Sequence, residues 1–153
     1  MITTTIVTPT DDLARLVSEI NSAEWDEANE MSVYDVESLA AYLHRQDTLF
    51  VTCHEVTGES ATLLGFASSR FELKPYAREK WLYVDEMDVC ANKRQQGVGK
   101  LIMKTLLEQA EKADCEEVWL GTEAGNHPAN ALYQSLDPDD VAQVVGYTYE
   151  LDE

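Results

Sequence analysis

Residues 81–107 read WLYVDEMDVCANKRQQGVGKLIMKTLL, and the fold follows from them. An apolar strand comes first, then a polar turn with two glycines, then a long amphipathic helix. The turn is Arg94-Gln95-Gln96-Gly97-Val98-Gly99, placed where the helix begins. Glycine there lets the backbone take positive φ and lie close to a ligand. The first N–H groups of a helix lack intrahelical partners, and the helix dipole adds partial positive charge at that end. Strand, glycine turn and helix start together make a cradle for phosphate. Lys93, Arg94, Lys100 and Lys104 lie around it in sequence. The plainer alternative is an ordinary strand-to-helix turn with solvated basic residues, and a lone G-x-G does not separate the two.

The helix is expected over residues 97–113, with Leu101, Ile102, Leu106 and Ala110 as its apolar stripe, widened by Met103 and Leu107. Upstream, β-branched residues 2–8 read as a strand ending at Pro9. Leu13, Leu16, Val17 and Ile20 have the spacing of one helical face, and residues 36–45 form a shorter helix with Leu39, Ala40 and Leu43 inward. Residues 48–56 and 61–73 are two arms of a hairpin around Thr57-Gly58-Glu59-Ser60, with Gly65 marking a bulge. Downstream, residues 117–122 are a short strand apolar enough for the sheet interior. Asn126 caps a helix with Pro128 in its first turn, and residues 141–151 alternate as a last strand. The order β-α-α-β-β-β-α-β-α-β predicts one α/β domain over residues 1–153, a mixed sheet flanked by helices.

The chain has 153 residues, enough for one core, and 44% are hydrophobic, which excludes a disordered class. Its formal net charge is −18, from 29 acidic and 11 basic side chains. That charge argues against nucleic acid and anionic membrane as partners and favours cationic small molecules or basic peptides. Solubility or a saline cytosol would also explain it. The charge is unevenly spread. Residues 70–112 hold nine of the basic side chains, and after Lys112 there are ten acids and no Lys or Arg. Positive charge therefore gathers around the phosphate turn. Residues 22–37 lack periodicity and interleave Glu24, Asp26, Glu27, Glu30, Asp35 and Glu37 with Trp25, Met31 and Tyr34. They read either as a solvated acidic loop or as a wall for a cationic ligand. Cys53, Cys90 and Cys115 make no disulfide framework or metal pattern, so no metal is expected. With no signal-peptide pattern and no long apolar run, the expected location is the cytoplasm.

Two motifs resemble the GNAT superfamily of acetyl-CoA-dependent N-acetyltransferases. Arg94-x-x-Gly97-x-Gly99 at a strand-to-helix turn is similar to that superfamily's pyrophosphate turn, and Asn126-x-x-Ala129-x-x-Leu132-Tyr133 to its second cofactor-side motif. The resemblance covers nearly the whole chain and implies the GNAT acyl-CoA N-acyltransferase fold, with acetyl-CoA as cofactor. A narrower likeness, through Phe71-Glu72-Leu73-Lys74 and residues 82–89, is to the aminoglycoside 3-N-acetyltransferases. Many relatives continue the second helix with Gly-Phe where this chain has Leu136-Asp137, which leaves open the last strand and any homodimer contact it would make.

Acetyl transfer to an amine needs a neutral amine, a donor where charge develops on the thioester carbonyl, and a proton for the leaving thiolate. The resemblance implies that Arg94, Gln95, Gln96, Gly97, Val98, Gly99 and Lys100 hold the pyrophosphate. Asp88 and Val89 would offer backbone groups to the pantetheine arm, with Asn126 and Ala129 beside it. Tyr133 would protonate the thiolate, although it also reads as an aromatic packed beside Leu132. Strand alternation puts Glu86 and Asp88 on one face and Asp85 on the other, unless a bulge intervenes. The base is expected from the cluster Asp85, Glu86 and Asp88, and Glu86, which matches an acidic position of the 3-N-acetyltransferases, is the first choice, directly or through water. Glu27, Glu30, Asp85, Glu86 and Glu123 are the expected substrate contacts. The expected acceptor is a primary amine of a cationic small molecule, an aminoglycoside first. A peptide N-terminus, a polyamine, or a non-catalytic acetyl-CoA sensor are the alternatives.

Overall fold

A computed structural model describes residues 1–26, 31–93 and 97–152. The chain divides into two compact units, Met1–Leu120 and Gly121–Glu153. The first contains a five-stranded sheet in the order β1-β2-β3-β4-β5. Its strands are β1 (Ile2–Ile6), β2 (Thr48–Thr57), β3 (Ser60–Leu73), β4 (Lys80–Val89) and β5 (Glu117–Leu120). Pairs β1–β2, β2–β3 and β3–β4 are antiparallel, and β4–β5 is parallel, so the sheet is mixed as the element order predicts.

Helices α1 (Leu13–Ser22) and α2 (Val36–His44) start at the side-chain caps Asp12 and Asp35. Leu13, Leu16, Val17 and Ile20 are buried, as their spacing requires. They join Leu39, Phe50 and Phe66 in one apolar cluster. Phe50 and Phe66 stack with centroids 5.4 Å apart, a geometry worth about 0.5–1.5 kcal/mol beyond the buried area. The opposite face is packed by α3 (Val98–Lys112), which contacts β2, β3 and β4. Its buried stripe is Val98, Ile102, Met103, Leu106 and Ala110. Leu107, expected to widen that stripe, is 42% exposed.

Gly65 does more than mark an irregularity. The bulge of the β2–β3 pair lies beside it, at Cys53/His54. A Cβ on Gly65 would stand 2.7 Å from the Asp88 carbonyl oxygen and 3.2 Å from Ile102 Cδ1. Glycine is what lets β3 and β4 close here. Gly65→Ala should therefore cost about 1–3 kcal/mol of stability, read as a lowered denaturant midpoint at unchanged slope.

Three expectations need correction. β5 lies at the edge of the sheet, not in its interior. Trp25, read as part of a loop or ligand wall, packs against the core: its ring meets Phe66 at a T-shaped angle, and its indole donates to the Ile20 carbonyl at 2.8 Å. Residues 141–151 form no strand, and Val141, Val144, Val145, Tyr147, Tyr149 and Leu151 are exposed. The alternation is real, but a strand is made by its ladder, and no ladder holds this segment among the described residues. The second unit contains α4 (His127–Gln134), capped by Asn126 with Pro128 in its first turn.

Candidate active site

Strand β4 carries the site. It pairs with β3 along its length, whereas β5 pairs with it over Trp81–Val84 and ends at Leu120. From Asp85 to Val89, β3 is the ladder partner of β4 among the described residues. The far edge there leaves backbone donors and acceptors available to a ligand chain. The helix that follows begins at Gly97, which is left-handed with φ 79°. Asp12, Asp35 and Asn126 cap the other α-helices with their side chains, while α3 has no side-chain cap among the described residues. Its first N–H groups are thus left to a ligand or to water. Val98 and Gly99 are buried, and Lys100 is exposed. Arg94, Gln95 and Gln96 lie outside the described residues, as do Glu27 and Glu30.

The acids of β4 are arranged by a bulge. Ser68 pairs with Glu86 and Ser69 with Val84, so Asp85 is an extra residue between them. Simple alternation would turn Asp85 away from Glu86, yet both line one cleft. The Tyr42 hydroxyl fills the bulge: it accepts from Ser69 N at 2.9 Å and donates to the Ser69 carbonyl. Burial pushes the Tyr42 phenol up to about 12, so it stays protonated for that task.

The cleft has a volume of 370 Å³ and lies between β3–β4 and the segment leading into α2. Asp35, Asp85 and Glu86 line it together with Tyr34, Tyr42 and Ser68, and no Lys or Arg does so among the described residues. The Tyr34 hydroxyl donates to Glu86 Oε1 at 2.8 Å. Asn21 grips the Tyr34 backbone from both sides, donating to its carbonyl and accepting from its N–H, each at 2.9 Å. Burial, then the charge of Glu86, drives the Tyr34 phenol far above its ordinary range, so it remains a donor. Asp35 is held below the usual carboxylate range by the Ser38 N–H and stays ionised. Burial raises Asp85 against the pull of Arg70, 3.6 Å away. A larger, open depression of 690 Å³ is lined by Arg45, Asp47 and Lys80, charges of both signs, and does not select a cation.

Asp88 sits deeper. It is 5% exposed, and its Oδ2 has no hydrogen-bond partner among the described residues. Burial, then the charge of Glu86, raises its carboxyl to about 7. The sequence placed Asp88 in the acid cluster of β4 and its backbone beside the cofactor, but gave no sign that its carboxyl is buried. Sequence reasoning also missed Asn21, Tyr42 and the Tyr34–Glu86 bond. A tyrosine inside an acidic, aperiodic segment was the one available signal.

In the second unit, Asn126 Oδ1 accepts from Ala129 N at 3.2 Å. Asn130 Nδ2 donates to the Asn126 and Glu123 carbonyls at 2.8 and 3.0 Å. Glu123 thus has its backbone engaged in fixing the loop before α4. Tyr133 is half-buried on that helix.

A model of the Acetyltransferase (GNAT) family matches residues 14–137. The chain belongs to the GNAT acetyltransferase family. It is thereby an acyl-transferring enzyme of a family that typically uses acetyl-CoA. The match ends just before the segment in which the expected last strand is not formed. No curated protein matches the chain. Among solved structures, it is similar to an aminoglycoside acetyltransferase from an uncultured soil metagenomic sample, in complex with sisomicin. That pair has 20% identity and a TM-score of 0.82, covering 99% of this chain and 97% of the other. A second aminoglycoside acetyltransferase from such a sample gives 13% identity and a TM-score of 0.79, with 99% of both chains covered. The ribosomal-protein-alanine N-acetyltransferase of Brucella melitensis biovar Abortus 2308 gives 17% and 0.74, covering 98% and 99%. At these identities the likeness is one of fold. No described helix is long and apolar enough to cross a membrane.

Proposed function

We propose that this GNAT enzyme moves an acetyl group from acetyl-CoA to a primary amine of a cationic small molecule, with an aminoglycoside at its 3-N position as first choice. The cleft carries this reading: three carboxylates line it and no lysine or arginine does among the described residues. Such a site favours a polycation through its field and offers several points of attachment. Two similar folds are aminoglycoside acetyltransferases, one of them bound to sisomicin, which supports the choice. Antibiotic resistance, a cytoplasmic location and a homodimer belong to the same proposal, as does one acetyltransferase domain over residues 1–153.

The described residues fit acetyl-CoA. Among the described residues, helix α3 starts without a side-chain cap at a left-handed Gly97, and β4 pairs only with β3 from Asp85 to Val89. Gly97, Val98, Gly99 and Lys100, with Arg94, Gln95 and Gln96, would hold the pyrophosphate. Asp88 and Val89 would hold the pantetheine arm by their backbone, and Asn126 and Ala129 take their place beside it from the motif. Acetyl-CoA, when bound, supplies the acetyl group as an activated thioester.

The enzyme's own groups then handle protons and position. Asp35 and Asp85, with Glu123, Glu27 and Glu30 as further candidates, attract ammonium groups of the acceptor. Glu86 meets the amine that is to react. The Tyr34 phenol, donating to Oε1, fixes which way Glu86 points and leaves the other oxygen for the amine. Removing the ammonium proton makes the nitrogen a nucleophile, the step a positioned carboxylate assists by about 10²–10⁴-fold. Tyr133 is assigned the leaving sulfur's proton by its motif. Tyr133→Phe should lower kcat by roughly 10–10³-fold with little change in acetyl-CoA affinity, and an unchanged kcat would return Tyr133 to packing.

The test is a panel of aminoglycosides, monoamines and peptides with free N-termini, read as thiol released from acetyl-CoA. Aminoglycosides should be turned over best, with KM rising as salt screens the cleft over about 8 Å at physiological ionic strength. Turnover of peptides alone would keep the family chemistry and discard the acceptor. Binding of acetyl-CoA with no thiol release from any amine would favour a sensor.

A further inference from the structure

The acceptor cleft ends at Glu86, but the acid that stands out physically is the one behind it. Asp88 lies on the same face of β4, two residues on, and is opposed on β3 by Phe66, which is fully buried. One of its carboxylate oxygens is buried without a hydrogen-bond partner among the described residues. An unpaired anion in such a place is expensive, and an aliphatic side chain of similar size would pack there at no such cost. The cost is avoided whenever the carboxyl is protonated. Asp88 is therefore a place where a proton is welcome, one residue pair away from the carboxylate that meets the acceptor.

Among the described residues, few charged and titratable groups face it. Its own strand presents Glu86. The segment leading into α2 presents the Tyr34 phenol, which feels the charge of both Glu86 and Asp88. β3 presents Phe66, with the Trp25 indole packed on that ring. The segment after α1 crosses the strand end through Glu24, whose carbonyl accepts from Ala91 N at 2.8 Å. No cation among these stabilises the anion. With Tyr34 fixed as a donor to Glu86, the two carboxylates divide the work: one is presented to the acceptor, the other is hidden from it.

We propose that Asp88 holds the proton removed from the acceptor amine, receiving it by way of Glu86 or a water between them. The N–H bond breaks and its electron pair stays on nitrogen. An O–H bond forms on Asp88, whose buried charge is thereby neutralised, and the proton is returned to solvent before the next turnover. This rests on the acetyltransferase reading for its substrate but not for its proton. Burial and the neighbouring Glu86 charge place the Asp88 carboxyl near neutrality, at about 7, where a base is most useful. The sign follows. The anion that accepts the proton is populated above neutrality, so kcat/KM should rise with pH through that region.

Two measurements test it. The first uses the protein alone: the 13C-carboxyl NMR titration of Asp88, assigned with Asp88→Asn. The expected midpoint lies near neutrality and moves down in Glu86→Gln, since the neighbouring charge is gone. The second is the pH profile of thiol release. Asp88→Asn, of the same shape, should lose the limb near neutrality and at least 30-fold in kcat, with acceptor KM changed less than about threefold. An Asp88 midpoint below pH 5 would overturn the proposal, and so would an Asp88→Asn enzyme that keeps both the limb and kcat. If no amine is acetylated at all, the acceptor reading fails, and the NMR midpoint alone decides for or against a proton site at Asp88.

Discussion

Gly97→Trp should abolish acetyl-CoA binding while the protein remains folded. Gly97 is the residue before the first turn of α3 and holds φ 79°. A Cβ there meets no described atom within 4 Å, so an added side chain has room among the described residues. The cost to the fold is the left-handed backbone, about 1–2 kcal/mol for a residue with a Cβ. The cost to the ligand is much larger. An indole in front of the uncapped N–H groups would block the diphosphate from the positions it needs for hydrogen bonds and for the dipole. Calorimetry should give a loss of more than 100-fold, with the melting transition still cooperative. Unchanged affinity would mean that the glycine turn is only a turn.

Glu86→Gln should lower kcat/KM by about 10²–10⁴-fold, the scale of a lost proton acceptor. The substitution keeps the side chain's length and its ability to accept from Tyr34, so the cleft retains its shape. What disappears is the charge and the capacity to take a proton. Tyr34→Phe makes the contrast. It keeps the carboxylate and removes the donor that orients it, so its loss should be smaller and fall mainly on kcat. Equal losses in the two variants would identify Glu86 as an attachment point for ammonium rather than as the group that receives the proton. Steady-state kinetics on an accepted amine decide between these outcomes.

The contrast between what the chain announces and what it hides has physical causes. The β4–α3 unit was legible because strand alternation, a glycine turn and a 3.6-residue stripe all fall within 27 residues. Leu107 misled because an apolar residue at the margin of a stripe is tolerated at the surface. The face of Asp85 was hidden because a bulge adds one residue to a strand without a marker in the local sequence, and the group that fills it, Tyr42, belongs to another element. Tyr34 and Glu86 are 52 residues apart, and their bond depends on Asn21 holding the segment between. The burial of the Asp88 carboxyl was hidden for a different reason. Alternation placed it on the face of Glu86, but the lack of a partner for its Oδ2 among the described residues is a property of three elements meeting. The segment 141–151 shows the limit from the other side, since strand-like composition does not create a neighbouring strand.

The acidic cleft as the acceptor site is tested most directly by calorimetric titration of a tetracationic aminoglycoside. The titration compares the acetyl-CoA-loaded protein with a variant carrying Asp35→Asn, Asp85→Asn and Glu86→Gln together. Asparagine at position 35 preserves the α2 cap, so the variant should fold. The parent should bind the polycation at low salt and bind it less tightly as salt rises, and the variant should lose at least 100-fold. Equal affinity in the two proteins, at the same salt, would contradict the account.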